Sequence, residues 1–441
     1  MTALLLFGSF ILLVLLRVPI ATALAVSSII VMFMTNGIAG FEVVTDIMYT
    51  SVAKFTLLAI PFFILAGVIM EHIGISKRLI DFAQTLVGHR KGGIVLVTVL
   101  VAVFFAAISG SGPATVAAIG GILIPAMTKN GYNKATAGGL VASAGAIGII
   151  IPPSIAFIIF AVVAGDQIPI TINRLFMAGV IPGVLVGVSL FVAGMYVRSR
   201  DIKRGHFNIE VEAKNVKSTS KERWDAFVKA VPGLMIPVII LGGIYGGIFT
   251  PTESAAIAVV YGLIVGLFIH RKGYIKMMYR IFIEASLQTA VVMIIVSAAS
   301  VFAYIVTTEQ IASTVSDTVL GLSDNKIIIL LLINVILLIA GAFIDAISAF
   351  YIFVPILLPI MMNLGVDPTV FGVFMTINLA IGLFTPPVGL NLYVAASLSR
   401  TNIIEISKGV VPFIIASIIV LLLVTYIPAL STFLPDLLGV K

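Results

Sequence analysis

Gly148-Ile149-Ile150-Ile151-Pro152-Pro153-Ser154 and Gly382-Leu383-Phe384-Thr385-Pro386-Pro387 decide how this chain is read. Each lies inside a long apolar run and closes on a proline pair. Proline has no backbone N–H, and its ring clashes with the carbonyl four residues earlier. The residue before proline is also driven out of helical geometry. A proline pair therefore breaks a helix and frees the carbonyls of Gly148 and Ile149 in the first stretch, with equivalents in the second. Both stretches end longer units that recur in register. Pro125, Met127, Gly131, Gly138, Ala146, Gly148, Pro152 and Pro153 return 234 residues later as Pro359, Met361, Gly365, Gly372, Ala380, Gly382, Pro386 and Pro387. Repeated broken helices are the usual sequence pointer to a binding site in a membrane transporter.

Composition places those helices in a bilayer. Of 441 residues, 60% are apolar and 10% charged, against about 25% charged in soluble domains. Apolar runs of about 20 residues recur, each enough to cross a hydrocarbon core of ~30 Å. No alternating pattern suggests a lipid-facing barrel. The absence of cysteine excludes disulfides, thiol catalysis and thiolate metal sites. His72, His89, His206 and His270 are scattered near span ends, which argues against a histidine metal centre. The net charge of +7 sits in loops with few aromatics, so it reads as a topology signal and not as a nucleic-acid face. Leu4–Leu16 followed by Ala21-Thr22-Ala23 has the outline of a signal peptide. With no Lys or Arg before it and a second apolar run directly after, it reads as a retained span.

The expected fold is an all-α polytopic membrane protein. Full spans are expected near 3–16, 19–35, 53–72, 135–163, 174–197, 233–249, 252–269, 281–306, 369–398 and 408–428. The segments 93–128 and 326–363 are each long enough for two helical arms. Their turns fall at Ser109-Gly110-Ser111-Gly112-Pro113 and at Asp345, and both read as re-entrant hairpins. With the termini outside, only Lys54, Arg174, Lys326 and Lys441 of the 26 Lys and Arg fall on the outer side. Reading either hairpin as a single crossing would spoil that partition. The chain then divides into a first repeat (1–197, with hairpin 93–128 and broken helix 135–163) and a second (232–441, with hairpin 326–363 and broken helix 369–398). The repeats are inverted, and a cytoplasmic linker (198–231) joins them. Within the linker Trp224, Phe227, Val228 and Val231 suggest a short interfacial helix. Amphipathic stretches before each hairpin (Leu79, Phe82, Ala83, Leu86; Ile311, Val315, Val319) suit arms joining a scaffold to a moving core, or ordinary interfacial packing.

In hydrocarbon a freed carbonyl must be satisfied, and a hard cation such as Na⁺ prefers oxygen ligands. The first hairpin tip adds the hydroxyls of Ser109 and Ser111, with a glycine, Gly110, that permits close approach. The repeat register sets Asp345 where Ser111 stands, and Thr385 adds a hydroxyl at the second break. An ionisable residue inside a membrane segment is a functional candidate by default, although Asp345 equally suits the cap of the returning arm. Helices restarting at Pro153 and Pro387 aim positive dipole ends between tips and breaks, which favours an anionic substrate. Ser111, Pro153, Ser154, Asp345, Ser348 and Asn378 are candidates to meet it. Ser300 and Asn391 also qualify, but they equally suit interhelical contacts. Glu71 and Asp81 read as boundary charges, and Glu253 as the first turn of a helix.

Arg17-Val18-Pro19-Ile20, Ser109-Gly110-Ser111-Gly112-Pro113-Ala114-Thr115, Ile151-Pro152-Pro153-Ser154, Thr250-Pro251-Thr252-Glu253-Ser254-Ala255 and Thr385-Pro386-Pro387-Val388-Gly389 together resemble the large membrane subunit of TRAP transporters. The resemblance covers essentially the whole chain. It implies a sodium-driven importer of organic acids in a bacterial inner membrane, working as an elevator. The partners would be a small four-helix membrane subunit, expected as a separate chain, and a periplasmic substrate-binding protein. It further implies one Na⁺ site from Ser109, Gly110, Ser111 and the backbone from Gly148 and Ile149 to Pro152. A second would use Gly341, Asp345 and the backbone from Gly382 to Pro386 with Thr385. C4-dicarboxylate and sialic-acid members are not distinguished. A self-sufficient Na⁺/organic-anion symporter is the competing reading. An intramembrane enzyme would need paired Asp, Ser–His or His-rich metal chemistry that the membrane segments do not offer. A channel would not need two inverted ion sites.

Overall fold

The structure is a computed structural model that describes residues 1–165, 167–204, 207, 217–269, 274–323 and 325–440. His206, His270, Lys441 and part of the 198–231 linker lie outside the described residues. Every regular element among the described residues is helical, and eight helices are long and apolar enough to cross a membrane. The chain is a multi-pass membrane protein.

Turn chemistry makes the two hairpins. The first pairs Gly93–Ser109 with Gly112–Lys129. Gly110 takes a left-handed φ of 60°, which only glycine adopts freely. Ser111 is extended, and Pro113 opens the returning arm, where its missing N–H costs nothing. The second pairs Lys326–Phe343 with Ala346–Asn363, using extended Ile344 and Asp345 in place of a glycine. Each hairpin is followed by a broken helix: Lys134–Ala146 then Ile155–Ala164, and Pro368–Gly382 then Leu390–Ser399. Both proline pairs are joined by cis peptide bonds. The restarts fall two or three residues beyond Pro153 and Pro387 because Ser154 and Gly389 take the N-cap positions.

The helix Ile172–Lys203 serves as a ruler between the halves. Its 32 residues extend ~48 Å at 1.5 Å per residue. At its N-terminal end Arg174 donates from Nε to Thr369 Oγ1 (3.0 Å), from Nη1 to the Val440 carbonyl (2.6 Å) and from Nη2 to Asp436 Oδ1 (2.9 Å). Lys326 Nζ donates at 3.3 Å to the carbonyl of Gly365, which lies close before Thr369 in the chain. The two feet of the second hairpin therefore meet at this end. The feet of the first hairpin lie at the other end. Gly92 packs so closely on Met195 that a Cβ would overlap its sulfur, and Tyr132 meets Phe207 edge-on at 4.9 Å beneath Arg198. The hairpins thus enter from opposite ends of one helix, the inverted arrangement. Packing between the halves is reciprocal. The returning arm of each hairpin lies against the second half-helix of the other repeat, with Phe160 and Phe350 5.9 Å apart at one of the two contacts.

Three segments differ from the sequence expectation. Ala39–Val52 is a helix that no apolar run announces, because Glu42, Asp46 and Gly40 interrupt it. The interfacial helix expected around Trp224 is instead the opening of one continuous helix, Ser220–Tyr245. A capping box between Thr219 and Glu222 starts it; Phe227 packs 5.6 Å from Phe82, while Trp224 and Val228 stay exposed. The chain also carries a short helix after the last span, Ala429–Leu437, which Arg174 clamps through Asp436.

Candidate functional site

The first tip and the first break form one cluster of oxygens. Ser109 Oγ shares a 2.7 Å hydrogen bond with Thr115 Oγ1, and Thr115 Oγ1 donates to the Ser111 carbonyl at 2.8 Å. Against them lies Gly148. A Cβ there would stand 2.6 Å from Thr115 Oγ1 and 2.7 Å from the Ser111 carbonyl oxygen. A Cβ on Gly110 would stand 2.9 Å from the carbonyl oxygen of Pro153. The structure therefore brings Ser109, Gly110, Ser111, Gly148 and Pro153 together, with Ile149 and Pro152 in the same break. Pro152 withholds the donor that the Gly148 carbonyl would receive in an unbroken helix. The Ile149 carbonyl is not free as expected, because Ser154 Oγ donates to it at 2.5 Å. A site built only of hydroxyl and carbonyl oxygens fits a hard cation.

The second site is built differently. Gly341 of the entering arm rests on Gly382 so closely that a Cβ on Gly382 would overlap the Gly341 backbone. Thr385 Oγ1 donates to the Ile381 carbonyl at 2.7 Å, and the carbonyl of Gly382 accepts from Thr385 N at 3.1 Å. Asp345 caps the returning arm. Its Oδ1 accepts from the Ile347 and Ser348 backbones, both at 3.0 Å, and its Oδ2 from Ser348 Oγ at 2.6 Å. A carboxylate retains acceptor capacity beyond these three bonds, so capping and cation binding are compatible. Ile151–Ser154 are buried, whereas Thr385 and Pro386 are half-buried and Pro387 is exposed.

Of the substrate candidates, Asn378 and Ser300 lie away from the tips, while Ser154 and Ser348 spend their hydroxyls on the first break and on Asp345. Asn378 is fully buried and donates to Asn334 Oδ1 at 2.7 Å; Asn334 in turn donates to Thr425 Oγ1 at 3.3 Å. That is a polar brace between three helices of the second half, the interhelical use of asparagine. Ser154 is fully buried and spends its hydroxyl on the break itself. Ser348 is fully buried behind Asp345. Ser300 lies in a separate cavity of about 460 Å³ with Thr50, Gln167, Tyr304 and Tyr351, and that cavity includes neither tip.

Two further residues reach the first tip, Thr115 and Glu71. Thr115 lies one helical turn after Ser111, so its hydroxyl returns to the tip. Glu71, taken for a boundary charge, lines a cavity of about 80 Å³ together with Ser109, Ser111 and Gln288. Helical periodicity could have found the first. The second depends on the tertiary approach of Ala59–His72 to Tyr274–Thr308 and the hairpin.

An inverted pair of hairpins and broken helices meeting at oxygen-lined sites defines a transport permease of the helical, multi-pass class. Comparison with known proteins gives the same class and narrows it. Residues 7–430 match the family model described as "Tripartite ATP-independent periplasmic transporter, DctM component". The chain is 46% identical to the isethionate TRAP transporter permease protein DctMQ of Oleidesulfovibrio alaskensis over 97% of its own length, and spans 65% of that protein. It is 37% identical to the C4-dicarboxylate TRAP transporter large permease protein DctM of Rhodobacter capsulatus over the whole of both chains. The crystal structure of the YdaH transporter of Alcanivorax borkumensis shares the fold at a TM-score of 0.57 and 14% identity, over 88% of each chain. The chain belongs to the DctM-component family of TRAP transporters, and its relatives are permease subunits, not enzymes.

Proposed function

We propose that this chain is the large membrane component of a Na⁺-coupled importer of small organic acids in a bacterial inner membrane. The observation that carries this reading is the paired close approach of tip to break. Gly148 lies against the Ser111 carbonyl and Thr115 hydroxyl, and Gly382 against Gly341. The first contact sets the Ser111 carbonyl and Thr115 hydroxyl beside the Gly148 carbonyl that Pro152 releases, and the second brings the Gly341 carbonyl to Gly382, which suits one Na⁺ per half, with Asp345 adding charge at the second. Helices restart at Ile155 and Leu390, and their positive ends favour an anion between the sites. The relatives named for isethionate and C4-dicarboxylate make a small organic acid the expected cargo, with sialic acid in the same class.

A periplasmic binding protein delivers the acid, and a small four-helix membrane subunit completes the transporter. The helices Ile75–Val87 and Ile311–Leu322 join the outer spans to the hairpins and act as the arms of an elevator motion. Both termini face the periplasm in the orientation the charge partition favours. The test is uptake into proteoliposomes that hold the chain with its small subunit. Uptake should require an inward Na⁺ gradient and the cognate binding protein loaded with the acid it retains. Uptake of free acid without any binding protein would overturn the tripartite reading in favour of a self-sufficient symporter.

A further inference from the structure

We propose that Asn391, a residue of the second half, is a cation ligand at the first tip and couples the two ion sites; this rests on the sodium reading above. Asn391 stands in the first turn of Leu390–Ser399, just past the second break. Its backbone N–H donates to the Leu383 carbonyl at 2.9 Å, inside that break. Its side chain crosses to the other half, where Nδ2 donates to the Ala142 carbonyl at 2.9 Å, within the first broken helix. A carbonyl can only accept, so this bond fixes which end of the amide faces Ala142 and which end is left over.

The remaining end, Oδ1, is fully buried and has no hydrogen-bond partner among the described residues. The amide lies against the first tip. A Cβ on Gly112 would lie 3.2 Å from Oδ1, 3.4 Å from Nδ2 and 2.7 Å from Leu383 Cδ1. Gly112 follows Ser111 directly, and the Gly112 carbonyl packs on Gly145 of the same broken helix. An orphaned, buried amide oxygen is costly to keep, and a hard cation is the partner such an oxygen suits. Because Asn391 holds the second break by its backbone and reaches the first tip by its side chain, occupancy of one site biases the geometry of the other. By linkage the bias is mutual.

Thermal unfolding of the purified full-length chain, titrated with NaCl against KCl at constant ionic strength, tests this without requiring transport. Ligand binding to the folded state raises the unfolding temperature. Wild type should be stabilised by Na⁺ in preference to K⁺. Asn391→Ala should raise the Na⁺ concentration at half-effect by about tenfold or more and make the titration less steep. Asn391→Asp keeps an oxygen toward the tip and should hold the midpoint at or below that of wild type. Gly112→Ala, whose methyl presses on Leu383 Cδ1 and on the amide without altering the amide's chemistry, should raise the midpoint. A residue that only clasps Ala142 would behave oppositely, with Asp more disruptive than Ala and the midpoint unmoved in both. A wild type indifferent to Na⁺ would overturn the sodium reading itself. A responsive wild type with an unshifted Asn391→Ala would overturn the role of Asn391 alone. Should Asn391→Ala fail to fold, the Asp and Gly112→Ala variants decide the matter.

Discussion

Asp345 and Ser111 occupy the same position in the repeat and do different work. Ser111 is extended and presents a carbonyl that Thr115 caps at 2.8 Å. Asp345 caps three donors of its own helix and holds its carboxyl group at the tip. Asn and Asp are equivalent as helix caps, so Asp345→Asn should leave insertion and thermal stability close to wild type while removing the charge. The expected result is a higher Na⁺ concentration for half-maximal uptake and a shallower Na⁺ dependence; an unchanged dependence would reject Asp345 as an ion ligand. The asymmetry itself was legible in sequence, because the register aligns Asp345 with Ser111 without a gap. The neighbours of each were not. Asn391 reads as any polar helix residue until the fold carries it across to Ala142, and Glu71 reads as a span end until three elements enclose it.

At the scale of elements, proline and glycine carried most of the message. The proline pairs announced both breaks, and Gly110-Ser111-Gly112-Pro113 announced the first tip, because each imposes a backbone constraint that no packing can reverse. Helices set by packing escaped notice. Ala39–Val52 has too many polar residues to read as a span, and the interfacial helix expected around Trp224 runs without a break into the span after it, as Ser220–Tyr245. The contact between Gly341 and Gly382 gives this scale its own prediction. A methyl at 382 overlaps backbone atoms that cannot rotate away, so the entering arm must shift, a strain of about 1–3 kcal/mol. Gly382→Ala should lower Na⁺-driven uptake at least about tenfold, by misplacing the second site, with the chain still inserted. Gly121→Ala, on the returning arm of the first hairpin, has nothing within 4 Å of the added methyl and should transport as wild type. Equal activity of the two variants would show that the close approach has no functional role.

For the whole molecule, the inverted halves explain why the chain is a duplication. Two hairpins entering from opposite ends of Ile172–Lys203 bring one tip and one break to each side of a common centre. Under the proposed function, an ion and an anion held there would face either aqueous phase without the sites being rebuilt. The halves do not merely sit side by side. The returning arm of each packs on the second half-helix of the other, Arg174 ties the first half to Thr369 and Asp436, and Asn391 ties the second to Ala142. With the halves joined in this way, ion binding at one break should be felt at the other. The measurement that tests this most directly is the initial rate of uptake against external Na⁺ concentration, at saturating loaded binding protein, in proteoliposomes of the wild-type transporter. Two coupled sodium sites give a sigmoidal curve with a Hill coefficient above 1, and no uptake when K⁺ replaces Na⁺. A rate that is the same in K⁺, or that rises hyperbolically with Na⁺, would contradict two coupled sites.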